Sequence, residues 1–370
     1  MRWHGVDPVL LLLVAAGLCG AIFLPFLAQA PNRLISGSPI PFGTALSGWH
    51  LVLLMPAAIL IPGILAARSA SLAAVLAVAA LGMAAGLLIL AGLEADTQAS
   101  HAPPSARTSL GSGFWVMLVA ALLIFADKLR DLANLWRAVF AIAALVLLTL
   151  LLWSGVLNQL SIMREYAGRH EVFSAAVARH FLLVGIAIAG ALLVGVPLGA
   201  AAYFFPPSRG KIFAFLNLVQ TIPSIALFSL LIPPLAALGL GGVGLAPAII
   251  ALTLYALLPI ARNTASGLDA VPTDVMEAAR GMGMTSPQIL LHVQTPLAFP
   301  VFLSGLRITV VQTIGLAVIA ALVGAGGLGA IMFEGLFANA LDLMLLGIIP
   351  VVLMAVAADT ILRLLAPQAA

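Results

Sequence analysis

Charge is what this chain has least of: 8% of its 370 residues are Asp, Glu, Lys or Arg, against roughly 25% in soluble globular domains. That deficit excludes a fold with an ordinary water-facing surface. Lysine occurs at Lys128 and Lys211 alone, and neither belongs to a GxxxxGK[ST] run. The chain therefore lacks a phosphate-binding loop for nucleotide hydrolysis, and any work done with ATP draws on another polypeptide. The single cysteine, Cys19, leaves no disulfide framework and no thiolate metal site. Six histidines, at positions 4, 50, 101, 170, 180 and 292, lack ligand spacing, so no metal or other cofactor is expected. The net charge of +3 is small and reflects topology, so no nucleic-acid partner is expected.

What the chain has in abundance is apolar length. Hydrophobic residues make up 63% of it, and mean hydropathy is +1.20. Runs near or above the ~20 residues that span a bilayer imply an all-α polytopic membrane protein. About ten transmembrane helices are expected, at 9–28, 49–67, 71–93, 110–126, 138–157, 181–205, 212–238, 245–261, 297–323 and 341–365, with a tight turn at Arg68-Ser69. The N-terminal run resembles a secretory signal, with Arg2 before it and Ala28-Gln29-Ala30 after it. Val9 to Ala28 exceeds the ~7–15 residues of a signal core, however, so a retained helix is expected rather than cleavage near residue 30.

A cytoplasmic N-terminus puts Arg2, Arg68, Lys128, Arg130, Arg137, Arg209, Lys211, Arg262, Arg280 and Arg363 inside, ten of the 16 Lys and Arg. Arg33, Arg107, Arg164, Arg169 and Arg179 fall outside and Arg307 lies within the ninth span. That bias follows the positive-inside rule. Segment 158–180, with three of the outer arginines, suits an external linker or amphipathic surface helix. It separates an accessory N-terminal membrane region, 1–157, from a motif-bearing half, 181–370.

The longest cytoplasmic loop, 269–296, ends in EAARGMGMTSPQILLHVQTP. Pro272 suits a first helical position, Asp274 and Glu277 favour a helix N-terminus, and Gly281 and Gly283 end the helix. Ser286 and Pro287 read as the cap and first residue of a second short helix, QILLHVQ. Such a knob either packs on its own membrane domain or docks into a partner, with Met276, Met282 and Met284 as adaptable contacts.

This stretch resembles the EAA motif of ABC importer permeases: Glu277-Ala278-Ala279, then Gly283, then Pro296 after a hydrophobic position. Val293-Gln294-Thr295-Pro296 stands where that family more often has Ile-x-Leu-Pro. LVQTIPSIALFSLLIP (218–233), LLPIARNTASGL (257–268) and GLRITVVQTIGLAVIAALVGAGGLG (305–329) are similar to permeases for glycine betaine and related quaternary-amine osmoprotectants. The added N-terminal half resembles the longer Yeh-type members rather than the short Opu-type ones. The resemblance implies a type I importer permease core in the last five spans. It implies that Glu277, Ala278, Ala279, Gly283 and Pro296 couple the membrane helices to a cytoplasmic ATPase dimer. It further implies a second permease chain, the same or homologous, and a solute-binding protein outside, all in the bacterial cytoplasmic (inner) membrane. ATP and Mg would then be bound by the partner ATPase, and this chain would be a transport subunit rather than an enzyme. An importer for another small solute, such as methionine or phosphonate, and an ion-coupled secondary transporter are the alternatives. The secondary transporter would call for intramembrane carboxylates, of which Asp359 is the one candidate.

Two polar sets lie within the spans. Asn217, Gln220, Thr221 and Ser224 fall at i, i+3, i+4 and i+7, and Thr309, Gln312 and Thr313 form a similar group. They read either as a translocation pathway for a zwitterion or as polar contacts between helices, worth ~0.6 kcal/mol each. Arg307 reads as a functional charge or as an anchor near the cytoplasmic face, and Asp359 with Arg363 as a structural i,i+4 pair. Gly239-Leu-Gly241-Gly-Val-Gly244 matches GxGxxG, but it joins two membrane helices instead of following a strand, so no dinucleotide site is expected.

Overall fold

The computed structural model describes residues 7–32, 35, 37–46, 48–65 and 70–365. The turn expected at Arg68-Ser69, and Arg2 and Arg33, lie outside the described residues. The chain forms two compact units, 1–168 and 169–370.

In the first unit Asp7 caps α1 (Pro8–Phe23), accepting a hydrogen bond from the Val9 N–H at 2.9 Å. Pro25–Ala30 is a strand, β1, paired antiparallel with both β2 (Ser38–Pro41) and β3 (Arg107–Leu110). Gly111 permits the tight join of sheet and helix, because a Cβ there would collide with the Pro25 carbonyl. A short helix, α2 (Phe42–Ala45), a 3-10 turn over Gly48–Leu54 and α3 (Met55–Leu65) lead to the long α4 (Ala70–Ser100). α4 packs on α5 (Ser112–Arg130), with Phe26, Leu87, Leu90 and Phe114 fully buried between sheet and helices. The turn into α6 (Asn134–Trp153) is closed by Arg137, which donates to the carbonyls of Leu129, Arg130 and Leu132 at 3.0, 2.6 and 2.8 Å. A cation thus adds donors to carbonyls at and just beyond the end of α5, where the regular helical bonds run out.

Segment 158–180 holds a short amphipathic helix and the start of a long one. α7 (Ser161–Gly168) buries Ser161 and Glu165, and Arg164 ties it to the Pro104 and Ala106 carbonyls at 2.7 and 2.9 Å. Burial, and then the neighbouring Arg107, lower the Arg164 pKa from its ordinary value, while Glu165 pulls the other way. The sixth span begins well before the expected residue 181, since α8 runs from His170 to Phe204.

The second unit is built around α8 and α12 (Leu245–Asp269), which meet along a seam of glycines. A Cβ on Gly195 would lie 2.9 Å from Ile260 Cγ2, and one on Gly199 would strike the Ala261 carbonyl. α9 (Pro206–Thr221), α10 (Ser224–Leu230) and α11 (Ile232–Ala237) lie between them in the chain. After α12 come α13 (Thr273–Gly281), α14 (Ser286–Ile289), a π-helical turn over Leu290–Gln294, and α15 (Thr295–Leu316). A 3-10 turn (Ile319–Val323), α16 (Leu328–Phe337) and α17 (Leu341–Leu365) complete the unit. His180 is fully buried with Nε2 3.1 Å from the Ile314 carbonyl, and Arg179 Nε donates to the Ala325 carbonyl at 3.1 Å, fixing the glycine turn before α16.

The expected count of ten is approximate. Among the described residues seven helices are long and apolar enough to cross a membrane, eight if α9 with α10–α11 is one broken span. The first two expected spans are shorter apolar helices among the described residues: α1 stops at Phe23 because the chain turns into β1, and in the second a 3-10 turn leads into α3. The fourth, whose apolar stretch is short, is helical over all 19 residues of α5. The ninth ends at Leu316 rather than 323.

Candidate functional site

The loop after α12 is two short helices held against the ends of three long ones. α13 has Asp274 in its first turn and Arg280 in its last, both suited to the helix dipole. Pro272 is its N-cap, one place before the expected first helical position. The helix ends in a Schellman motif: Met284 N–H donates to the Ala279 carbonyl at 3.2 Å and Gly283 N–H to the Arg280 carbonyl at 2.9 Å. Gly283 takes the left-handed conformation this requires, with φ of 79°.

The cap of α14 is Thr285 rather than the expected Ser286. Its N–H and hydroxyl both donate to Gln288 Oε1, at 2.8 and 3.0 Å, the reach-back half of a capping box. The second short helix does not stand alone either. Residues Ser286–Leu316 form one helical run, so the loop passes without a break into the ninth span.

Burial sorts the loop residues by role. Ala279 is buried, and Leu268, Val271 and Ala298 form a small core with Tyr203, Met276 and Leu290 beneath the loop. Glu277, Ala278, Gly283 and Pro296 are exposed, and Met282 is 75% exposed. The outer edge therefore carries a carboxylate, a small residue and a flexible apolar side chain, a surface able to enter a groove. Ala279, which reads from sequence as part of that edge, faces inward.

The polar sets are divided by the structure. α9 and the α10–α11 stretch are bent by 98°, so Ser224 starts a new helix and does not share a face with Asn217, Gln220 and Thr221. Gln220 Nε2 donates to the Tyr255 carbonyl at 2.9 Å, Asn217 Oδ1 accepts from Arg262 at 3.3 Å, and Thr221 donates to the Leu218 carbonyl at 2.7 Å. The Tyr255 hydroxyl in turn donates to the Ile222 carbonyl, at the break itself. Thr309 and Thr313 are buried and bond back to the Gly305 and Thr309 carbonyls at 2.9 and 2.8 Å, whereas Gln312 is exposed.

Arg307 is paired. Its Nε lies 3.0 Å from Asp359 Oδ1, and Arg363 Nε lies 2.8 Å from Oδ2, so one carboxylate bridges two guanidinium groups. Gln294 and Tyr203, to which the sequence assigns no role, meet beneath the loop. Gln294, 3% exposed, donates to the Tyr203 hydroxyl at 2.9 Å. The signal available for Gln294 was an amide side chain two residues before Pro296, at the entry to an apolar span.

Residues 5–163 match the family described as "ABC transporter permease YehY, N-terminal domain", and residues 191–370 match "Binding-protein-dependent transport system inner membrane component". The osmoprotectant import permease protein OsmW of Salmonella typhimurium is 41% identical over 185 residues, covering 50% of this chain and 86% of that protein. The glycine betaine/carnitine/choline transport system permease protein OpuCB of Bacillus subtilis is 34% identical, covering 56% and 91%. Among solved structures, the inward-facing methionine ABC transporter MetNI aligns with a TM-score of 0.47 and 28% identity, over 53% of this chain and 97% of that one.

Proposed function

The chain belongs to the membrane-embedded permease subunits of ABC importers, and from that membership we propose that it imports glycine betaine or a related quaternary amine. It is a transport subunit, multi-pass in the membrane, and the ATPase of such an importer is a separate chain. The substrate class is supported by the names of its relatives, which are permeases for osmoprotectants, glycine betaine, choline and carnitine. In this reading a solute-binding protein delivers the amine outside, the N-terminus is cytoplasmic, and substrate choice rests largely with the binding protein. An aromatic cage there is the expected way to hold a quaternary ammonium.

The observation that carries the coupling is the exposed edge of α13. Glu277 and Ala278 stand clear of the chain's own core while Ala279 locks the same helix onto it. A helix held on one face and free on the other can receive a push and pass it on. ATP would close the ATPase dimer, the loop would move with it, and the membrane helices would open outward. Hydrolysis would reset them.

The test is ATP hydrolysis by this chain reconstituted in liposomes with its cognate ATPase, with and without binding protein loaded with glycine betaine. Stimulation that vanishes in Glu277→Lys while the complex persists supports the reading. Stimulation by another solute corrects the substrate. Failure of any ATPase to bind the chain sinks it.

A further inference from the structure

We propose that the π-helical turn Leu290–Gln294, pinned by Gln294 to Tyr203, is the hinge that carries loop movement into α15, with Gln294 and Tyr203 as its positioning residues. The inference rests on the coupled-permease reading and names the part that transmits the motion.

The run Ser286–Leu316 is one helix in which the loop half and the membrane half are joined by this turn. π turns are rare, and they mark functional sites in helices more often than chance allows. Here the wide turn has a specific cause. The Leu290 carbonyl accepts the Thr295 N–H five residues on, and the Thr295 hydroxyl at 2.7 Å as well. Just beyond it come Pro296 and Pro300, neither of which has an N–H to give. The carbonyls of His292 and Pro296 therefore lose their ordinary helical donors. Residues 290–300 are thus poor in i→i−4 bonds, while α14 before them is capped and α15 beyond them is regular. Bending concentrates where those bonds are missing.

A hinge also needs a fixed point, and Gln294 supplies it. Its amide is buried at the end of the π turn and donates to Tyr203 in the last turn of α8. A buried amide without its partner is costly, so the pair strongly favours staying closed. Tyr203 also touches the small core of Leu268, Val271 and Ala298 on which Met276 and Leu290 rest. The ends of α8 and α12, the loop helix α13 and the start of α15 all meet at that point. Gly267 allows the meeting, since a Cβ there would lie 2.9 Å from the Ala298 carbonyl. With Gln294 held, a push on α13 and α14 tilts the loop about the soft turn and rotates α15 instead of being lost as free flexing. Shifting the π turn by one residue turns the upstream helix by about 100°.

The experiment measures glycine betaine imported per ATP hydrolysed, in liposomes containing the full complex, for wild type, Gln294→Met, Tyr203→Phe and the double variant. Each single variant is expected to lower that ratio roughly fivefold, as loss of one net hydrogen bond from a two-state equilibrium does. Solute-stimulated hydrolysis should persist, and the double variant should match the singles. If Gln294→Met does not assemble, Tyr203→Phe, which removes one oxygen atom, decides. A ratio unchanged in the singles overturns the hinge. So does a parallel fall in import and hydrolysis, which is what a merely structural role would give. If wild type itself shows no solute-stimulated hydrolysis, the coupled-permease reading fails first, and that result is separate from the variants.

Discussion

Arg209 Nη2 stands 2.7 Å from Asp269 Oδ2, joining the first turn of α9 to the last residue of α12 just before the loop begins. Arg209 and Arg262 also lie 6.0 and 5.7 Å from the centre of the Phe213 ring. The ion pair is substantially exposed, at 42% and 38% for the two side chains, so its Coulomb energy is screened. Asp269→Asn should therefore cost about 0.2–1 kcal/mol, less at high salt. A double-mutant cycle with Arg209→Gln, read by thermal unfolding of the purified chain at two salt concentrations, measures it. A salt-independent coupling would show that the pair is held away from solvent.

Gly283→Ala tests the loop's turn. The space around Gly283 is open, with no atom within 4 Å of the place a Cβ would take, so any cost comes from its φ of 79°. That cost is about 1–2 kcal/mol, and Gly283→Asn should recover part of it. Protease sensitivity of the loop should rise in the alanine variant and fall again in the asparagine one. Equal behaviour of the two would mean that this glycine is not needed for its conformation.

Two glycines of α8 make a matched pair. Gly199→Ala drives a methyl into the Ala261 carbonyl and to 2.6 Å from Thr264 Cβ, whereas Gly185→Ala meets nothing within 4 Å. The first should destabilise by about 1–3 kcal/mol through overpacking. The second should stabilise by about 0.5–1 kcal/mol, because alanine is the better helix former. Unfolding midpoints in detergent compare them directly, and a tolerated Gly199→Ala would show that the α8–α12 seam is loose.

Asp359→Asn leaves Arg307 and Arg363 facing each other without their shared carboxylate. Both ion pairs are partly exposed, so losing the shared carboxylate should cost about 0.2–1 kcal/mol for each pair, in addition to the repulsion of the two cations. The double change Arg307→Met with Asp359→Met should cost less than Asp359→Asn alone, because it leaves one arginine near the helix end and no opposed cations. Unfolding of the two variants side by side checks the order.

The helical, membrane-spanning character and the EAA loop were legible because their signals are local and strongly patterned: apolar runs of spanning length, and a capped helix ending in glycine. Pro223 is itself a local break signal, but the 98° size of the bend depends on Tyr255 reaching from α12 to the Ile222 carbonyl and on Gln220 holding α9 to the Tyr255 carbonyl. Pro25–Ala30 was hidden, since a short apolar run reads alike as strand or helix until its pairing partners, 38–41 and 107–110, are known. The π turn was hidden for a different reason. Leu290 to Gln294 have ordinary helix propensities, and what widens the turn is the placement of Thr295 against Leu290 and of Gln294 against Tyr203. Ser224 was grouped with Asn217, Gln220 and Thr221 because spacing assumes an unbroken helix, which the bend at Pro223 removes.

The glycine seam has one more consequence. Where α8 meets α12 there is no room for a Cβ at Gly195 or Gly199, and packing this close resists shear of one helix along the other. Shear and hinge closure are the two economical ways for packed helices to rearrange, and the seam disfavours the first for this pair. α8 and α12 then behave as a chassis, and the distance between them is a built-in ruler against which displacement of every other part of the second unit can be gauged.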